Sequence, residues 1–514
     1  MKRPQRQGRD PFQGPPLAEQ RGLTEWLPRR LASTRPAIAV IGDVMLDGWW
    51  SGSIERLCRE APAPVVEINQ RKFAPGGAAN TAMNLAALGA KVRLAGIAGC
   101  DEAAAELLRQ LRGAGVDTAH VRQVPGVTTT TKTRISSSGQ VLFRVDDVQR
   151  GLPSGALESL ARSVQEILLD QQAVVVCDYG AGTLDGPVRS RLVDLLPIRS
   201  EVLVVVDAHQ PHTWAGVKPD LATPNAMEAA NMLGLKFDAE PARATVVVDH
   251  RQELLAAAGA GAVVVTLDRE GSVLLPRSGD VHRTWARPVQ EKQASGAGDT
   301  FVAALTLART ASLPLTTCVD LAQAAADIAV HRPGTSVCST DDLCRHLEGF
   351  LDNAVDAGEL ATHIGRHREQ GQRIVLTNGC FDVLHRGHTR YLNQAKQLGD
   401  VLVVALNSDE SVRRLKGPGR PINDITDRAA VIAALSCVDY VTVFDTPTPI
   451  PLIQKIRPEI YAKGGDYTPG MLAETAAVEN YGGRVAILDY VADHSTTAVV
   501  DRIRSGRTEP GGGE

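Results

Sequence analysis

The sequence has no long apolar run, no paired cysteines and little net charge. No stretch approaches the ~20 apolar residues of a membrane-spanning helix, and the first thirty-odd residues lack the apolar centre of a secretory signal. We therefore expect a disordered tail at residues 1–35 and a cytoplasmic protein. The net charge of −4 gives no reason to expect nucleic acid or a membrane as the main partner.

The eight cysteines are scattered, with no CxxC pair and no accompanying histidine cluster. Structural zinc sites need such spacings, and disulfide frameworks need an oxidising compartment. We therefore expect free thiols in a reducing compartment and no dedicated metal site of the protein.

Short runs of valine, isoleucine and alanine recur along the 514 residues, which are enough for two or three domains. Runs of this length are typical of strands covered on both faces, and so of parallel α/β sheets joined by crossover helices. The strands are predicted at 37–42, 92–98, 173–177, 202–206, 262–267, 374–376, 401–406, 440–444 and 484–488. Helices are predicted at 79–88, 103–111 and 301–307.

Residues 55–73 and 128–147 depart from this pattern, because β-type residues alternate there with polar ones. The alternation predicts a small sheet apart from the main one, as a lid or a dimer contact, although an ordinary peripheral hairpin fits the pattern equally. A charged, helical stretch at 340–372 then precedes a new strand. We expect a first domain at 36–345, a linker at 346–370 and a second domain at 371–508.

The run Ser295–Phe301 contains the glycine turn Gly296-Ala297-Gly298 and Asp299, directly before an alanine-rich helical segment. Glycines let backbone N–H groups approach a ligand, and a helix N-terminus adds partial positive charge. Such a turn can stabilise the charge that develops during phosphoryl transfer. Asp299 then stands where it can accept a proton from an attacking hydroxyl.

Three further motifs accompany that turn, although each taken singly is more often a helix cap or a tight turn. Asp43 and Asp47 follow a predicted strand, where α/β sheets bind ligands. A second glycine turn opens a helix that contains Asn80, and an Asn-x-x-Glu element follows another apolar run. The residues of these two motifs are Gly76, Gly77 and Asn80, then Asn225, Ala226, Met227 and Glu228.

In this order, the motifs over about residues 35–340 resemble the ribokinase-like carbohydrate kinases. The resemblance implies an α/β kinase domain with a small β lid, which uses ATP and Mg²⁺, with Asp299 as the general base. Mg²⁺ would come with ATP and lie near Glu228. The resemblance assigns the sugar site to Asp43, Asp47, Gly76, Gly77 and Asn80, with Arg134 on a substrate phosphate. It assigns the ATP site to Asn225, Ala226, Met227, Glu228, Thr266, Gly271, Gly296, Ala297 and Gly298.

The second half carries the more specific motif, His385-Arg386-Gly387-His388. Gly387 lets a helix start close to a phosphate chain, and two imidazoles can donate to phosphate oxygens at an in-line transition state. The motif follows a predicted buried strand and the turn Gly379–Asp382. These features favour a catalytic role for both histidines over a surface turn.

Residues 370–505 resemble the cytidylyltransferase-like nucleotidyltransferases, which implies a Rossmann-like domain with a parallel sheet. In that resemblance, Lys416 and Lys463 supply charge to phosphates, and Ser495 and Thr496 cap a helix that faces the triphosphate. Asp382 either bonds substrate or orients a histidine. The implied nucleotide and substrate site comprises Thr377, Asn378, Gly379, Phe381, Asp382, Lys416, Arg428, Lys463, Gly464, Asp466, Ser495, Thr496 and Thr497.

The two halves in this order resemble the bifunctional heptose-7-phosphate kinase / heptose-1-phosphate adenylyltransferase family. The resemblance implies ADP-heptose synthesis for glycans such as the lipopolysaccharide core, with a separate bisphosphate phosphatase acting between the steps, and a homodimer. Two lysines that the family often shows are missing, beside Asp178 and Asp207. Alternatives are another sugar or polyol phosphate, CTP in place of ATP, or a kinase half that is a non-catalytic sensor or dimerisation module.

Overall fold

The computed structural model describes residues 16–20, 23–24, 26–138, 140–149, 151–237, 243–286, 294–332, 334–348, 357–369, 371–384, 386–465 and 469–488. The chain forms two compact units, which divide between Cys344 and Arg345. Across the described residues, none of the helices combines the length and the apolar character needed to cross a membrane. The eight cysteines, which all lie in the described ranges, form no disulfide bonds.

The first unit consists of a large sheet, a smaller sheet and the helices around them. Its strands are β1 (Ala37–Gly42), β2 (Val44–Leu57), β3 (Pro64–Gly77), β4 (Lys91–Gly99), β5 (Asp117–Val124), β6 (Thr131–Ser137), β7 (Gln140–Asp147), β8 (Ala173–Asp178), β9 (Leu203–Ala208), β10 (Leu221–Ala222), β11 (Ala262–Thr266), β12 (Ser272–Pro276), β13 (His282–Thr284), β14 (Ala294–Ser295) and β15 (Gly334–Thr335). Its helices are α1 (Leu27–Thr34), α2 (Ala78–Ala87), α3 (Glu102–Gly113), α4 (Ser154–Ile167), α5 (Pro187–Leu195), α6 (Ala226–Leu233), α7 (Arg243–Asp249), α8 (Arg251–Ala258), α9 (Ala297–Thr310) and α10 (Leu315–Val330), followed by α11 (Thr340–Glu348).

The large sheet has nine strands in the order β13-β12-β11-β10-β9-β8-β1-β4-β5. All neighbours from β11 to β5 pair in parallel, while β12 and β13 are antiparallel additions at one edge. The valines of β8, Val174–Val176, are fully buried in the core, because helices cover both faces of the sheet. The predicted strands of this unit are confirmed, since each apolar run lies on one of them.

The smaller sheet, here called the lid sheet, has four strands in the order β3-β2-β6-β7. The small sheet predicted from residues 55–73 and 128–147 is therefore confirmed. Lys132 pairs with Asp47 and Arg134 pairs with Trp49 across β6 and β2, so these four side chains share one face. The opposite face carries Phe143 and Val145 of β7 and exposes them to solvent.

The second unit is built on five parallel strands in the order β18-β17-β16-β19-β20. The parallel sheet and four of its strands were predicted, whereas β19 was not. Its core includes Leu360 and Ile364 from the segment expected to be a linker, so the packed part of this unit begins before its first strand. The elements are α12 (Ala357–Glu369), β16 (Ile374–Gly379), α13 (Arg386–Lys396), β17 (Val401–Asn407), α14 (Asp409–Lys416), α15 (Ile425–Ala433), β18 (Tyr440–Phe444), α16 (Ile450–Ile456), β19 (Ile460–Gly464), α17 (Glu474–Glu479) and β20 (Arg484–Leu488).

Candidate active sites

The first candidate site is centred on the N-terminus of α9. Gly296 precedes the helix with a φ of 85°, in the left-handed region that glycine adopts without strain. A Cβ at Gly296 would lie 2.5 Å from Asn80 Nδ2, so the position also has no room for a side chain. Ala297, Gly298 and Asp299 form the first helical turn, where backbone N–H groups have no partner within the helix. Among the described residues outside the helix backbone, a Cβ at Gly298 would meet no atom within 4 Å, which leaves open space beside those N–H groups.

Two neutral side chains contact the carboxyl group of Asp299. Asn80 Nδ2 donates to Oδ2 at 2.7 Å, and the Tyr179 hydroxyl lies 3.2 Å from Oδ1. Burial, together with the carboxylates of Asp207 and Asp47, raises the pKa of Asp299 to about 7. A carboxylate with such a pKa can both accept a proton near neutral pH and release it again, as a general base must.

Asp47 and Arg134 connect the lid sheet to this turn. Asp47 Oδ2 accepts from Thr335 Oγ1 at 2.8 Å, and Arg134 lies 3.5 Å from Asp47 Oδ1. Arg134 also donates to Ser295 Oγ at 2.9 Å and stacks over the Trp49 ring. The guanidinium therefore lies next to the glycine turn, and a substrate phosphate that entered there would meet a positive charge.

The glycine turn before α2 lies against Asp47. A Cβ at Gly76 would come within 3.0 Å of the Asp47 carboxyl group, so glycine lets the two strands approach. Gly77 has a φ of 55° and caps α2, whose third residue is Asn80. The structure thus brings Asp47, Gly76, Gly77 and Asn80 together beside Asp299.

Asp43 is buried and bound to protein groups, and its contact with the sugar stays a prediction. Its side chain is inaccessible to solvent and accepts three backbone N–H groups, from Tyr179, Ala181 and Thr183, at 2.8–3.1 Å. Burial raises the pKa of Asp43. Asp43 therefore anchors the loop after β8, and this loop carries Tyr179 into the site.

The Asn-x-x-Glu element forms a capping box at the start of α6. Asn225 Oδ1 accepts the Glu228 N–H, and Glu228 Oε2 accepts the Asn225 N–H. Glu228 Oε1 lies 2.8 Å from His209 Nδ1, and this contact raises the pKa of the imidazole. A cavity of about 460 Å³ opens beside them, lined by His209, Gln210, His212, Glu228, Asn231 and Met232.

The remaining residues predicted for the ATP site border this region. Thr266, at the end of β11, forms a bridge with Asn225. Gly271 lies in the turn between β11 and β12. Ala226 is buried, whereas Met227 is 74% exposed.

The second candidate site lies at the carboxyl end of β16. Asn378 Oδ1 accepts from Lys463 Nζ at 2.9 Å and from the Tyr461 hydroxyl at 2.6 Å. Thr377 bonds the hydroxyl of Tyr391, which donates to the Ala462 carbonyl. Burial lowers the pKa of Lys463. The Lys463 side chain is thus fixed at the edge of the sheet where β16 and β19 end, which is the place where parallel sheets bind ligands.

His388, in the first turn of α13, packs against the Phe381 ring with the ring centroids 5.1 Å apart. Phe381 has a φ of 43° and lies over Gly379, where a Cβ would come within 2.8 Å of its ring. Lys416 is exposed at the end of α14, and Gly464 ends β19. His385, Asp466, Ser495, Thr496 and Thr497 lie outside the described residues.

Asp382 and Arg428 are buried and bound to protein groups. Asp382 pairs with Arg420 at 2.5 Å and accepts the Ile422 N–H at 2.6 Å. Arg428 donates to the Cys380 carbonyl at 2.7 Å and to Asp409 at 2.6 Å, with its side chain inaccessible to solvent. Both side chains therefore stabilise the loop around the site, and a direct contact of either with a nucleotide stays a prediction.

Two family models match the chain in the places where these sites lie. The pfkB family carbohydrate kinase model matches residues 36–342, and the Cytidylyltransferase-like model matches residues 376–501. The Bifunctional protein HldE of Alcanivorax borkumensis is 40% identical over 479 residues, which cover 91% of this chain and 97% of that protein. The chain belongs to the HldE family. HldE of Pseudomonas aeruginosa strain UCBPP-PA14 is 38% identical over 471 residues, with 91% and 97% coverage.

The fold of the kinase half of this HldE-family chain is also similar to that of a solved enzyme. Phosphofructokinase-2 from Escherichia coli in complex with potassium superposes with a TM-score of 0.50 at 21% identity, covering 60% of this chain and 97% of that chain. The family and fold resemblances inferred from the two motifs are thus confirmed.

Mg²⁺ in nucleotide sites is usually held by one or two carboxylates together with phosphate oxygens. Across the part of the chain that the structure describes, no group of three or more potential metal ligands occurs. Both oxygens of Glu228 are already engaged, by His209 and by the Asn225 N–H. A place for Mg²⁺ near Glu228 stays a prediction.

Sequence reasoning missed Tyr179, Asp207 and His209 as site residues of the kinase half. These residues lie at or directly after the carboxyl ends of β8 and β9. Ligands bind at the carboxyl ends of parallel strands, so this position in the sequence could have identified them. In the second unit it missed Tyr391 and Arg420, whose roles depend on contacts across 14 and 38 residues that no local pattern reveals.

Proposed function

We propose that the chain catalyses two separate steps in the activation of a heptose. The kinase half transfers a phosphoryl group from ATP to O1 of heptose 7-phosphate and gives the 1,7-bisphosphate. The other half transfers an adenylyl group from ATP to heptose 1-phosphate and gives ADP-heptose and pyrophosphate. The observation that carries the kinase assignment is Asp299, held by Asn80 in the open first turn of α9.

In the kinase step, Asp299 accepts the proton of the attacking O1 hydroxyl. The N–H groups of the α9 turn stabilise the charge on the transferred phosphoryl group, and Arg134 binds the 7-phosphate. Mg²⁺, bound with ATP, neutralises the phosphate charge. An intact Asp299 turn argues against a kinase half that serves only as a sensor or dimerisation module.

In the adenylyl transfer, the 1-phosphate oxygen attacks the α-phosphorus of ATP and pyrophosphate leaves. His388, with His385 of the same motif, donates to the phosphate oxygens, and Lys463 adds a fixed positive charge at the end of β19. No proton needs to leave a phosphate nucleophile at neutral pH, so this step requires no general base. The 7-phosphate has to be removed first, which is the task of a separate phosphatase, and the reactions belong in the cytoplasm, where ATP is supplied.

Two isosteric or truncating changes test the assignment of the two sites. Asp299→Asn keeps the shape of the side chain but removes the base, so ADP formation from heptose 7-phosphate is expected to fall by about 10²–10⁴-fold. His388→Ala is expected to abolish pyrophosphate release and to leave the kinase rate unchanged. Each variant is the control for the other. Loss of both activities in either variant would contradict independent sites.

We also propose that the chain forms a homodimer through the lid sheet. Its outer face exposes Phe143 and Val145, at 47% and 50% of their surface, and apolar side chains grouped in this way mark contact surfaces. Phe143→Glu is expected to give a monomer in light scattering, whereas Val248→Glu, an exposed valine on α7, should leave the mass unchanged. Equal masses for the unaltered chain and both variants would contradict this interface.

A further inference from the structure

The hydroxyl of Tyr179 lies between two carboxylates of the kinase site. Its oxygen is 2.5 Å from Asp207 Oδ2 and 3.2 Å from Asp299 Oδ1. A tyrosine hydroxyl has one proton, so it can donate to only one carboxylate at a time. The shorter distance assigns that proton to Asp207, which leaves the lone pairs of the tyrosine oxygen available towards Asp299.

The outer oxygens of both carboxylates are fixed by other donors. Thr223 Oγ1 donates to Asp207 Oδ1 at 3.0 Å, and Asn80 Nδ2 donates to Asp299 Oδ2 at 2.7 Å. When Asp299 is protonated, the five side chains therefore form one continuous hydrogen-bonded chain, with Tyr179 in its middle. The Tyr179 backbone is held as well, because its N–H donates to Asp43.

We propose that Tyr179 is a positioning residue that gives the protonated form of Asp299 a hydrogen-bond acceptor during phosphoryl transfer. This inference rests on the proposed role of Asp299 as the base. As the O1–H bond of the sugar breaks and the new O–P bond forms, the proton moves to Asp299 Oδ1 and ADP leaves. The new carboxyl O–H then donates to the Tyr179 oxygen, while Tyr179 continues to donate to Asp207. No proton is left unpaired in the site, and no further reactant is needed.

The charged and titratable groups around this row of hydrogen-bonded side chains come from several elements. Asp299 itself is on α9. The groups that face it and its partners are Asp47 from β2, Lys132 and Arg134 from β6, Cys177 from β8, Tyr179 from the loop after β8, Asp207 and His209 from the end of β9, and Glu228 from α6.

In the proposed arrangement, both partners of Asp299 favour its protonated form. The Tyr179 oxygen accepts from the protonated carboxyl group, and the nearby charge of Asp207 raises the pKa of Asp299. Removing the tyrosine hydroxyl should therefore move the acid limb of the kinase rate to lower pH. Removing the Asp207 charge should also move it to lower pH, and it frees the Tyr179 hydroxyl to donate to the ionised Asp299.

The test is the pH profile of kinase kcat for the full chain and for Tyr179→Phe and Asp207→Asn. For Tyr179→Phe we expect a loss that is about threefold to fivefold smaller at pH 6 than at pH 8.5, which corresponds to a downward shift of 0.5 to 1 pH unit in the midpoint. For Asp207→Asn we expect a midpoint below that of the unaltered chain. Tyr440→Phe, which removes a hydroxyl bonded to His367 in the second unit, is the matched control and should not move the profile.

A purely structural role for Tyr179 would lower kcat equally at every pH. An unmoved or raised midpoint in Tyr179→Phe would overturn the proposal, because a raised midpoint would mean that the hydroxyl donates to Asp299 and does not accept from it. Adenylyl transfer by the same samples reports whether the chain is folded, and if Tyr179→Phe fails to fold, the Asp207→Asn midpoint decides. Full kinase activity of Asp299→Asn would refute the proposed base, and this inference with it. Loss of activity in Asp299→Asn with no shift in Tyr179→Phe would refute this inference alone.

Discussion

Replacing Gly298 by alanine separates the stability of the kinase half from its chemistry. Gly298 is the second residue of α9, and an added Cβ would meet no protein atom within 4 Å. Alanine is preferred over glycine in helices, by up to about 1 kcal/mol. The fold should therefore be unaffected or slightly more stable in Gly298→Ala.

The activity of the same variant should fall steeply. We infer that the open space beside Gly298 receives the transferred phosphoryl group, so a methyl group there keeps the oxyanion away from the N–H donors. The loss of one such donor costs about 2.7–4 kcal/mol of transition-state stabilisation, or about 10²–10³ in kcat. The assay is ADP formation at saturating ATP and sugar phosphate, with thermal melting measured on the same sample.

Gly296→Ala is the matched comparison. Here the new Cβ would lie 2.5 Å from Asn80 Nδ2, and the backbone would keep a φ of 85°, which costs about 1–2 kcal/mol for a residue other than glycine. This variant should lose both stability and activity. Unchanged kinase activity in Gly298→Ala would refute the assignment of the phosphoryl site to the α9 turn.

Three other predictions concern both halves. Because Asp299 has to be ionised to accept a proton and its pKa is raised to about 7, kinase kcat should rise roughly tenfold from pH 6 to pH 8; a flat profile would contradict this base. Asn80→Ala removes a hydrogen bond that favours the carboxylate, so kinase kcat at pH 7 should fall by about tenfold to a hundredfold, and a rate unchanged at pH 7 would show that the bond is dispensable. Arg428→Met leaves Asp409 and the Cys380 carbonyl without their buried partner, and should destabilise the second unit by about 3–5 kcal/mol in denaturant unfolding while the kinase rate is kept.

The fold was largely predictable because its strands are apolar on both faces. Runs such as Val174–Val176 identify buried parallel strands without any knowledge of tertiary contacts. The lid sheet was also visible, as polar alternation in 55–73 and 128–147. The pattern did not reveal the antiparallel strands β12 and β13, or β19 in the second sheet, because short strands carry weak signals.

The candidate sites were predictable where a motif is local in sequence. The Gly296–Asp299 turn and the His388 motif each combine backbone and side-chain chemistry within a few residues. Contacts between distant residues were not predictable, and the Tyr179 hydroxyl is the main case, since it lies 28 residues from Asp207 and 120 from Asp299. Asp43 shows that a local pattern can be incomplete. Its position after a strand does not reveal that its carboxylate is turned into the fold.

The most direct test of the two-step proposal is a mass-resolved assay of the purified chain with ATP and Mg²⁺. One reaction receives heptose 7-phosphate and the other receives heptose 1-phosphate. We expect the 1,7-bisphosphate and ADP in the first, and ADP-heptose and pyrophosphate in the second. ADP-heptose without any bisphosphate would contradict the kinase assignment, and neither product would contradict the account as a whole.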